Sequence, residues 1–497
     1  MKLDTEICYE ALLAHDVRFD GVFYVGVATT GIYCRTVCPA RKPNRENCTF
    51  YPSAAAAERA GYRPCLRCRP ELAPGNARID SAGRLAAVAA SRIEDGELTV
   101  RSLPELAATI GITDRHLRRV IREEFGVSPI ELAQTQRLLL AKRLLTDTDL
   151  PITQVAFAAG FASVRRFNAQ FQERYRLNPS NLRKSRPSKA ITETTRPSDY
   201  SNEVPIDTLT CELAYRPPYD WDSLLEFLVG HGSRGVEGLV NSGGGGQYVR
   251  TVRLGEHRGW IAVAPVPKRD RLRVEVAATL APALLPVLAR VKRLFDLAAD
   301  PGRIAAHLGD IAEAHPGLRV PGAFDGFELA TRAILGQQVS VKGATTLAGR
   351  FASAFGEPIA TPYAYLTHLA PTAERIARAE TAEITAHGII TARANTLLAL
   401  ARAVAERRLC LEPGVDVEET VGKLQELPGV GPWTAQYIAM RALAWPDAFP
   451  HTDLGLYKAL GETRPRRMLE RAEAWRPWRS YATMHLWKSL EVKSEIK

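Results

Sequence analysis

Apolar and polar positions change rhythm along the chain, and those changes divide it. Short β-like runs, Phe23 to Thr29 and Cys48 to Tyr51, sit among helical ends in the first 75 residues. Residues 100–127, VRSLPELAATIGITDRHLRRVIREEFGV, then read as helix, glycine-containing turn and helix, and residues 152–175, ITQVAFAAGFASVRRFNAQFQERY, repeat the design. Ser185 to Pro205 is rich in Ser, Thr and Pro and poor in large apolar residues, as a linker is. From Leu209 to about Val276, the apolar runs YVRTVRL, GWIAVAPV and RLRVEVAATL, broken by Gly and Pro, predict a small mixed α+β domain. After Leu284 the pattern is helical. The run Gly243–Gly246 is read as a turn, because no Lys-Ser/Thr follows it and the next run is strand-like rather than helical.

A chain of 497 residues exceeds one hydrophobic core. The expected units are 1–75, 78–185, a linker over 186–205, 206–290 and 291–497. The expected fold class is multidomain: a small α+β domain, an all-α domain of tandem helix-turn-helix units, a second small α+β domain and an all-α core.

Composition alters this little. Hydrophobic residues make up 46% and charged residues 24%, and no stretch approaches the roughly 18 apolar residues that span a bilayer. The opening MKLDTEICYEALLAHD lacks an export pattern, so a cytoplasmic, nucleoid-associated location is expected. Charge matters more. Of the net +10, residues 78–189 hold 19 basic against 12 acidic side chains, which points to a polyanionic partner, most simply nucleic acid, with a solvated basic face as the alternative.

Cysteine spacing supplies the first chemistry. Cys34 and Cys38 form C-x3-C, Cys65 and Cys68 form C-x2-C, and 26 residues separate the pairs. Two such knuckles suit one tetrahedral Zn²⁺, and a reducing compartment disfavours the alternative of two disulfides. Cys8, Cys48, Cys211 and Cys410 have no partner at ligand spacing and are read as buried free thiols. From spacing alone the four-cysteine site is a structural staple.

The words around it change that. TTGIYCR, CPAR and RPCLRC within residues 19–71 closely resemble the methyl-acceptor domain of Ada-type alkylation-response proteins. The resemblance implies that Cys34 is both zinc ligand and nucleophile, taking a methyl group irreversibly from a methylphosphotriester in DNA. A zinc-bound thiolate stays deprotonated at neutral pH yet can attack an unhindered methyl carbon. Four thiolates on Zn²⁺ leave the site at about −2, and methylating one leaves about −1, which weakens repulsion toward phosphates. Arg35, Arg41 and Arg45 lie beside Cys34 as candidate phosphate contacts.

In each helix-turn-helix segment a small-residue helix, a glycine (Gly111, Gly160) and a second helix opening with polar groups follow in order. GFASVRRFNAQFQERYRLNPSNLR resembles the AraC-type signature, which implies sequence-specific binding to double-stranded promoter DNA and RNA polymerase as a partner. Candidate DNA contacts are Arg115, His116, Arg118 and Arg119 in the first unit and Ser163, Arg165, Arg166 and Asn168 in the second.

Toward the C-terminus, LQELPGVGPWTAQYIAMRAL at 424–443 places Leu-Pro-Gly-Val-Gly between two helical runs, a helix-hairpin-helix signature. Amides around Gly429 and Gly431 can hold a phosphodiester oxygen at a helix N-terminus. Twenty residues beyond Trp433 stands Asp453. With RAILGQQVSV, PPYDW and WRPWRSYATMHLW, the stretch from about Leu209 to Trp487 closely resembles AlkA-type 3-methyladenine DNA glycosylases. That resemblance implies Asp453 as the essential carboxylate, and Trp433, Tyr437 and Trp487 as the lining of a pocket for an extruded base. A cationic base already leaves readily, so one carboxylate can stabilise the oxocarbenium sugar and guide water, while electron-rich rings favour the cation.

Pro432 and Trp433 occupy the neighbourhood where lyase relatives carry a Schiff-base Lys, so a monofunctional glycosylase is expected. No Cys follows Cys410 to hold an iron-sulfur cluster, and no Pro-Cys-His-Arg motif marks an O6-alkylguanine acceptor. Gln338 stands where family members often carry a leucine wedge, and His451 is read as structural or solvent-facing. Two other readings stay open: a methylation-sensing regulator with a non-catalytic lesion-binding C-terminal module, and an enzyme in which Cys34 is only structural. A monomer is favoured.

Overall fold

The structure is a computed structural model and describes residues 4–74, 84–148, 150–184, 208–242 and 245–495; the expected linker lies outside them. The first unit is built on a four-stranded sheet in the order Cys48–Tyr51, Tyr24–Val27, Ile32–Cys34, Arg63–Pro64. Its last pair is parallel and the others antiparallel. Strand alternation sorts the side chains: Phe23 and Val25 pack on Cys8, Ala11 and Leu12 of the helix Thr5–Leu13, while Tyr24 and Tyr33 face Ala54 and Ala57 of the helix Ala54–Arg59. The strands Ile32–Cys34 and Arg63–Pro64 are too short to show a period, and the sequence pattern missed them.

Two helix pairs follow, Leu103–Thr109 with Asp114–Phe125 and Ile152–Ala158 with Val164–Tyr175, joined by the long helix Pro129–Asp147. Gly111 and Gly160 sit at φ +79° and +80° in the two turns, a conformation that a side chain would strain. In each second helix one stripe is buried, Leu117, Ile121 and Phe125 in the first and Phe167, Phe171 and Tyr175 in the second. The opposite faces are left to solvent.

A five-stranded antiparallel sheet comes next, in the order Thr208–Ala214, Arg271–Ala277, His257–Pro265, Gly245–Leu254, Glu237–Ser242. Gly245 and Gly246 open the strand Gly245–Leu254, paired with Ser242 and Asn241, so the expected turn does not extend to them, and Gly243 and Gly244 lie outside the described residues. This sheet does not bury its apolar face alone. Leu144 and Phe171 of the helical unit share one continuous cluster with Leu209, Val274 and Leu288 of the sheet unit. The helix Leu284–Leu294 runs through residue 290, so the division expected there falls inside an element.

The C-terminal helices form two cores, one around Ile334, Leu397 and Ile438 and one around Ile304, Phe449 and Ala482. The helix Pro432–Arg441 serves both, with Tyr437 and Ile438 in the first and Ala439 and Met440 in the second. Trp487, on the final helix Arg479–Glu495, packs against both as well. Among the described residues no helix is long and apolar enough to cross a membrane.

Candidate functional site

Cys34 ends its strand, Cys38 follows in the next loop, and Cys65 is tied back by its amide to the Tyr33 carbonyl at 3.0 Å. The four ligand sulfurs of Cys34, Cys38, Cys65 and Cys68 lie within 4.8 Å of one another, and none is joined in a disulfide. Zinc–sulfur bonds of about 2.3 Å in a tetrahedron put sulfurs roughly 3.8 Å apart. The cluster therefore fits one Zn²⁺ with little adjustment. Cys38, Cys65 and Cys68 are 5%, 6% and 5% exposed, and Cys34 as a whole residue is partly buried, although as a ligand it is enclosed like the other three. Among the other cysteines, Cys8, Cys48 and Cys211 are buried as expected, but Cys410 is exposed.

Arg35 corrects an expectation. It is 5% exposed, its Nε donates to Asp20 Oδ1 at 2.7 Å, and its Nη1 donates to the Cys68 carbonyl at 3.0 Å. The guanidinium is consumed in holding the ligand loops together and is not open to a phosphate. Arg45 is half-buried, stacking on Tyr9 and Phe50 and pairing with Glu6 at 3.2 Å. Arg41 is exposed.

On the second helices of the two helix-turn-helix units, Arg115, Arg118, Arg119, Ser163, Arg165, Arg166 and Asn168 are all exposed, opposite the buried stripes, while His116 is half-buried. Thr113 and Ser163 cap those helices through the amides of His116 and Arg166.

At the hairpin, Val430 is buried while Gly429 and Gly431 are exposed. Gly429 has φ +81°, and a Cβ there would collide with the Thr396 hydroxyl. Its carbonyl accepts from Gln337 Nε2 at 2.9 Å. The helix Pro432–Arg441 that follows carries Trp433 and Tyr437, stacked at 5.1 Å and 11°.

Asp453 is the N-cap of Leu454–Leu460, accepting from the Leu456 amide at 2.8 Å. It also lines a cavity of about 400 Å³ with Trp433, Tyr437 and Trp487, so the capping role and the pocket role coincide. Trp433 Nε1 donates to its Oδ2 at 2.7 Å and Trp487 Nε1 to its Oδ1 at 2.9 Å. A carboxylate accepts about four hydrogen bonds, so three donors orient it and leave capacity for one more.

The loop before Asp453 is clamped by a feature the sequence pattern did not reveal. Asp447 and Arg479, both 7% exposed, pair at 2.7 Å, and Ser480 Oγ donates to the Trp445 and Ala448 carbonyls. The helix that supplies Trp487 thus also fixes the approach to Asp453. Phe227 and His231, from the end of the helix Trp221–Gly230, complete the cavity wall and were also missed. Gln338 is exposed at φ +55° on the loop after Gly326–Leu335, and His451 is half-buried.

The zinc-type centre, paired helix-turn-helix units and hairpin-flanked cavity define an Ada-like, AraC-like and glycosylase-like assembly in one chain. Comparison with known families agrees: residues 7–71 match "Metal binding domain of Ada", 106–185 "Helix-turn-helix domain", 210–325 "AlkA N-terminal domain" and 331–479 "HhH-GPD superfamily base excision DNA repair protein". A Mycobacterium tuberculosis protein named "Probable bifunctional transcriptional activator/DNA repair enzyme AlkA" is 39% identical over 498 residues, 98% of this chain and 97% of that one. DNA-3-methyladenine glycosylase 2 of Escherichia coli is 38% identical over 275 residues, covering 55% of this chain and 95% of its own. The bifunctional transcriptional activator/DNA repair enzyme Ada of Escherichia coli is 35% identical over 154 residues, 31% of this chain and 42% of its own. The chain belongs to the AlkA-type family of bifunctional transcriptional activator/DNA repair enzymes.

Proposed function

We propose that the chain repairs alkylated DNA by two routes and regulates transcription in response. The first is hydrolytic release of 3-methyladenine and related alkylated bases. The observation that carries it is the Asp453 carboxylate, oriented by two indole donors on the wall of an aromatic cavity. An extruded cationic base stacks in the cavity, and the bond from its nitrogen to C1′ breaks as the base leaves neutral. Asp453 stabilises the positive sugar and accepts the proton of the water that attacks C1′. The Gly429 and Gly431 backbone holds a flanking phosphate.

The second route is methyl transfer to Cys34. Bound zinc keeps that thiol ionised. Cys34 Sγ attacks the methyl carbon of a phosphotriester, the C–O bond breaks, and an ordinary phosphodiester leaves. The place of Cys34 in the TTGIYCR stretch, within the residues that match the Ada metal-binding domain, supports it as the accepting residue. The less negative centre then favours promoter binding through the exposed arginines of the two helix-turn-helix units, with RNA polymerase recruited there. One incubation of methylated duplex with the chain tests both routes. S-methylcysteine at position 34 and free 3-methyladenine are expected; absence of the base would leave the C-terminal half a binding module, and absence of the thioether would leave Cys34 a structural ligand.

A further inference from the structure

The helix Trp221–Gly230 belongs to the sheet unit, yet it delivers two rings, Phe227 and His231, to the base cavity. The His231 ring stacks on Phe227 at 4.2 Å and 17°. Its Nδ1 lies 2.9 Å from the Phe227 carbonyl oxygen. A carbonyl only accepts, so Nδ1 carries the proton and Nε2 of the neutral ring presents a lone pair. Burial, with Arg441 and Arg332 nearby, pushes the imidazole down to about 4, against the pull of the Phe227 carbonyl, so the ring is neutral at physiological pH. The bond through Nδ1 is the hydrogen bond that the His231 ring makes among the described residues, which leaves Nε2 free. Asp453, a second acceptor on the cavity wall, already takes three donors.

We propose that His231 Nε2 is a specificity-determining acceptor, taking an N–H from the extruded base and favouring alkylated purines that carry such a donor over O2-methylthymine, whose ring edge has none. This rests on the glycosylase reading above. An alkylpurine cation is a suitable donor, because its positive charge polarises the amine and ring N–H groups. A base without a donor takes water from the lone pair and leaves it unpaired, and the site penalises it.

The test compares release of 7-methylguanine and O2-methylthymine from single-lesion duplexes by full-length wild type, His231→Phe and His231→Gln. Phe keeps a ring against Phe227 but loses the acceptor, and Gln keeps an acceptor. The 7-methylguanine to O2-methylthymine rate ratio should drop about tenfold in His231→Phe and recover at least partly in His231→Gln. A global folding defect slows both lesions alike and cannot imitate a changed ratio. Equal ratios in all three proteins would overturn the proposal, as would equally low ratios in the two variants. A wild type that releases neither base overturns the glycosylase reading itself; release of both with no change in ratio overturns only the role of His231.

Discussion

Trp433 donates its indole N–H to Asp453 Oδ2 at 2.7 Å, so the ring that stacks on Tyr437 also sets the carboxylate's orientation. Substituting Asp453→Asn removes the negative charge and sets an amide N–H against an indole N–H. Base release should fall about 10³-fold while affinity for a lesion duplex stays within a few-fold. Trp433→Phe keeps the stack and loses only the donor, and about a tenfold loss is expected. Single-turnover release and binding titrations on one duplex check both, and full activity in Asp453→Asn would remove the carboxylate from the mechanism.

Arg35 and Arg41 should behave oppositely although both flank the cysteine centre. Arg35→Ala strands the buried Asp20 carboxylate and should cost about 3–5 kcal/mol of zinc-domain stability. Arg41→Ala removes an exposed charge and should leave stability unchanged while weakening DNA binding and flattening its salt dependence. Urea unfolding and binding at two salt concentrations distinguish them.

Removing zinc should separate the two repair routes. A chelator takes away the closure of a sheet whose last strand is Arg63–Pro64, so residues 4–74 should unfold and methyl transfer should cease. The Asp453 cavity draws no residue from that unit, and base release should persist. Proteolysis of the chelated chain, with base release measured alongside, checks both. Loss of base release would mean that the centre supports the whole molecule.

Local signals were legible in the residues themselves. Cysteine spacing, turn glycines and the Leu-Pro-Gly-Val-Gly hairpin each impose backbone or ligand geometry over a few positions. Orientation was harder to read. Arg35 beside Cys34 looks like a phosphate contact until the strand's alternation and Asp20, fifteen residues earlier, turn it inward. Long-range closure was not legible at all: Asp447 meets Arg479 across 32 residues, and the wall formed by Phe227 and His231 depends on packing between units rather than on any local pattern. The shared core joining Leu144 and Phe171 to Leu209 has the same origin, because apolar periodicity shows which face is buried but not against what.

Glu58 should make the junction between the zinc unit and the helical unit pH-sensitive. Its carboxylate accepts from the Tyr33 hydroxyl at 3.0 Å and the Thr135 hydroxyl at 2.9 Å, joining the residue before Cys34 to the helix Pro129–Asp147. Burial pushes this carboxyl from 4.5 up to about 7, with Thr135, Tyr33 and Arg174 opposing. The folded chain therefore holds a proton between those values that the unfolded chain has lost. The Glu58 contribution to stability is full below pH 4.5, declines as pH rises toward 7, and levels off above it. The decline attributable to Glu58 is roughly 3 kcal/mol by the pKa difference. Glu94 and Glu328 are also pushed up to about 7, while His231 and His485 are held down to about 4 and slope the opposite way, so wild type carries all of these and Glu58→Gln should remove only its own share. The measurement is amide hydrogen exchange in the helices Ala54–Arg59 and Pro129–Asp147 of the zinc-loaded chain at pH 5 and pH 7.5, corrected for intrinsic rates. A smaller loss of protection in Glu58→Gln than in wild type is expected, and identical pH dependence in the two proteins would mean that Glu58 is ionised throughout.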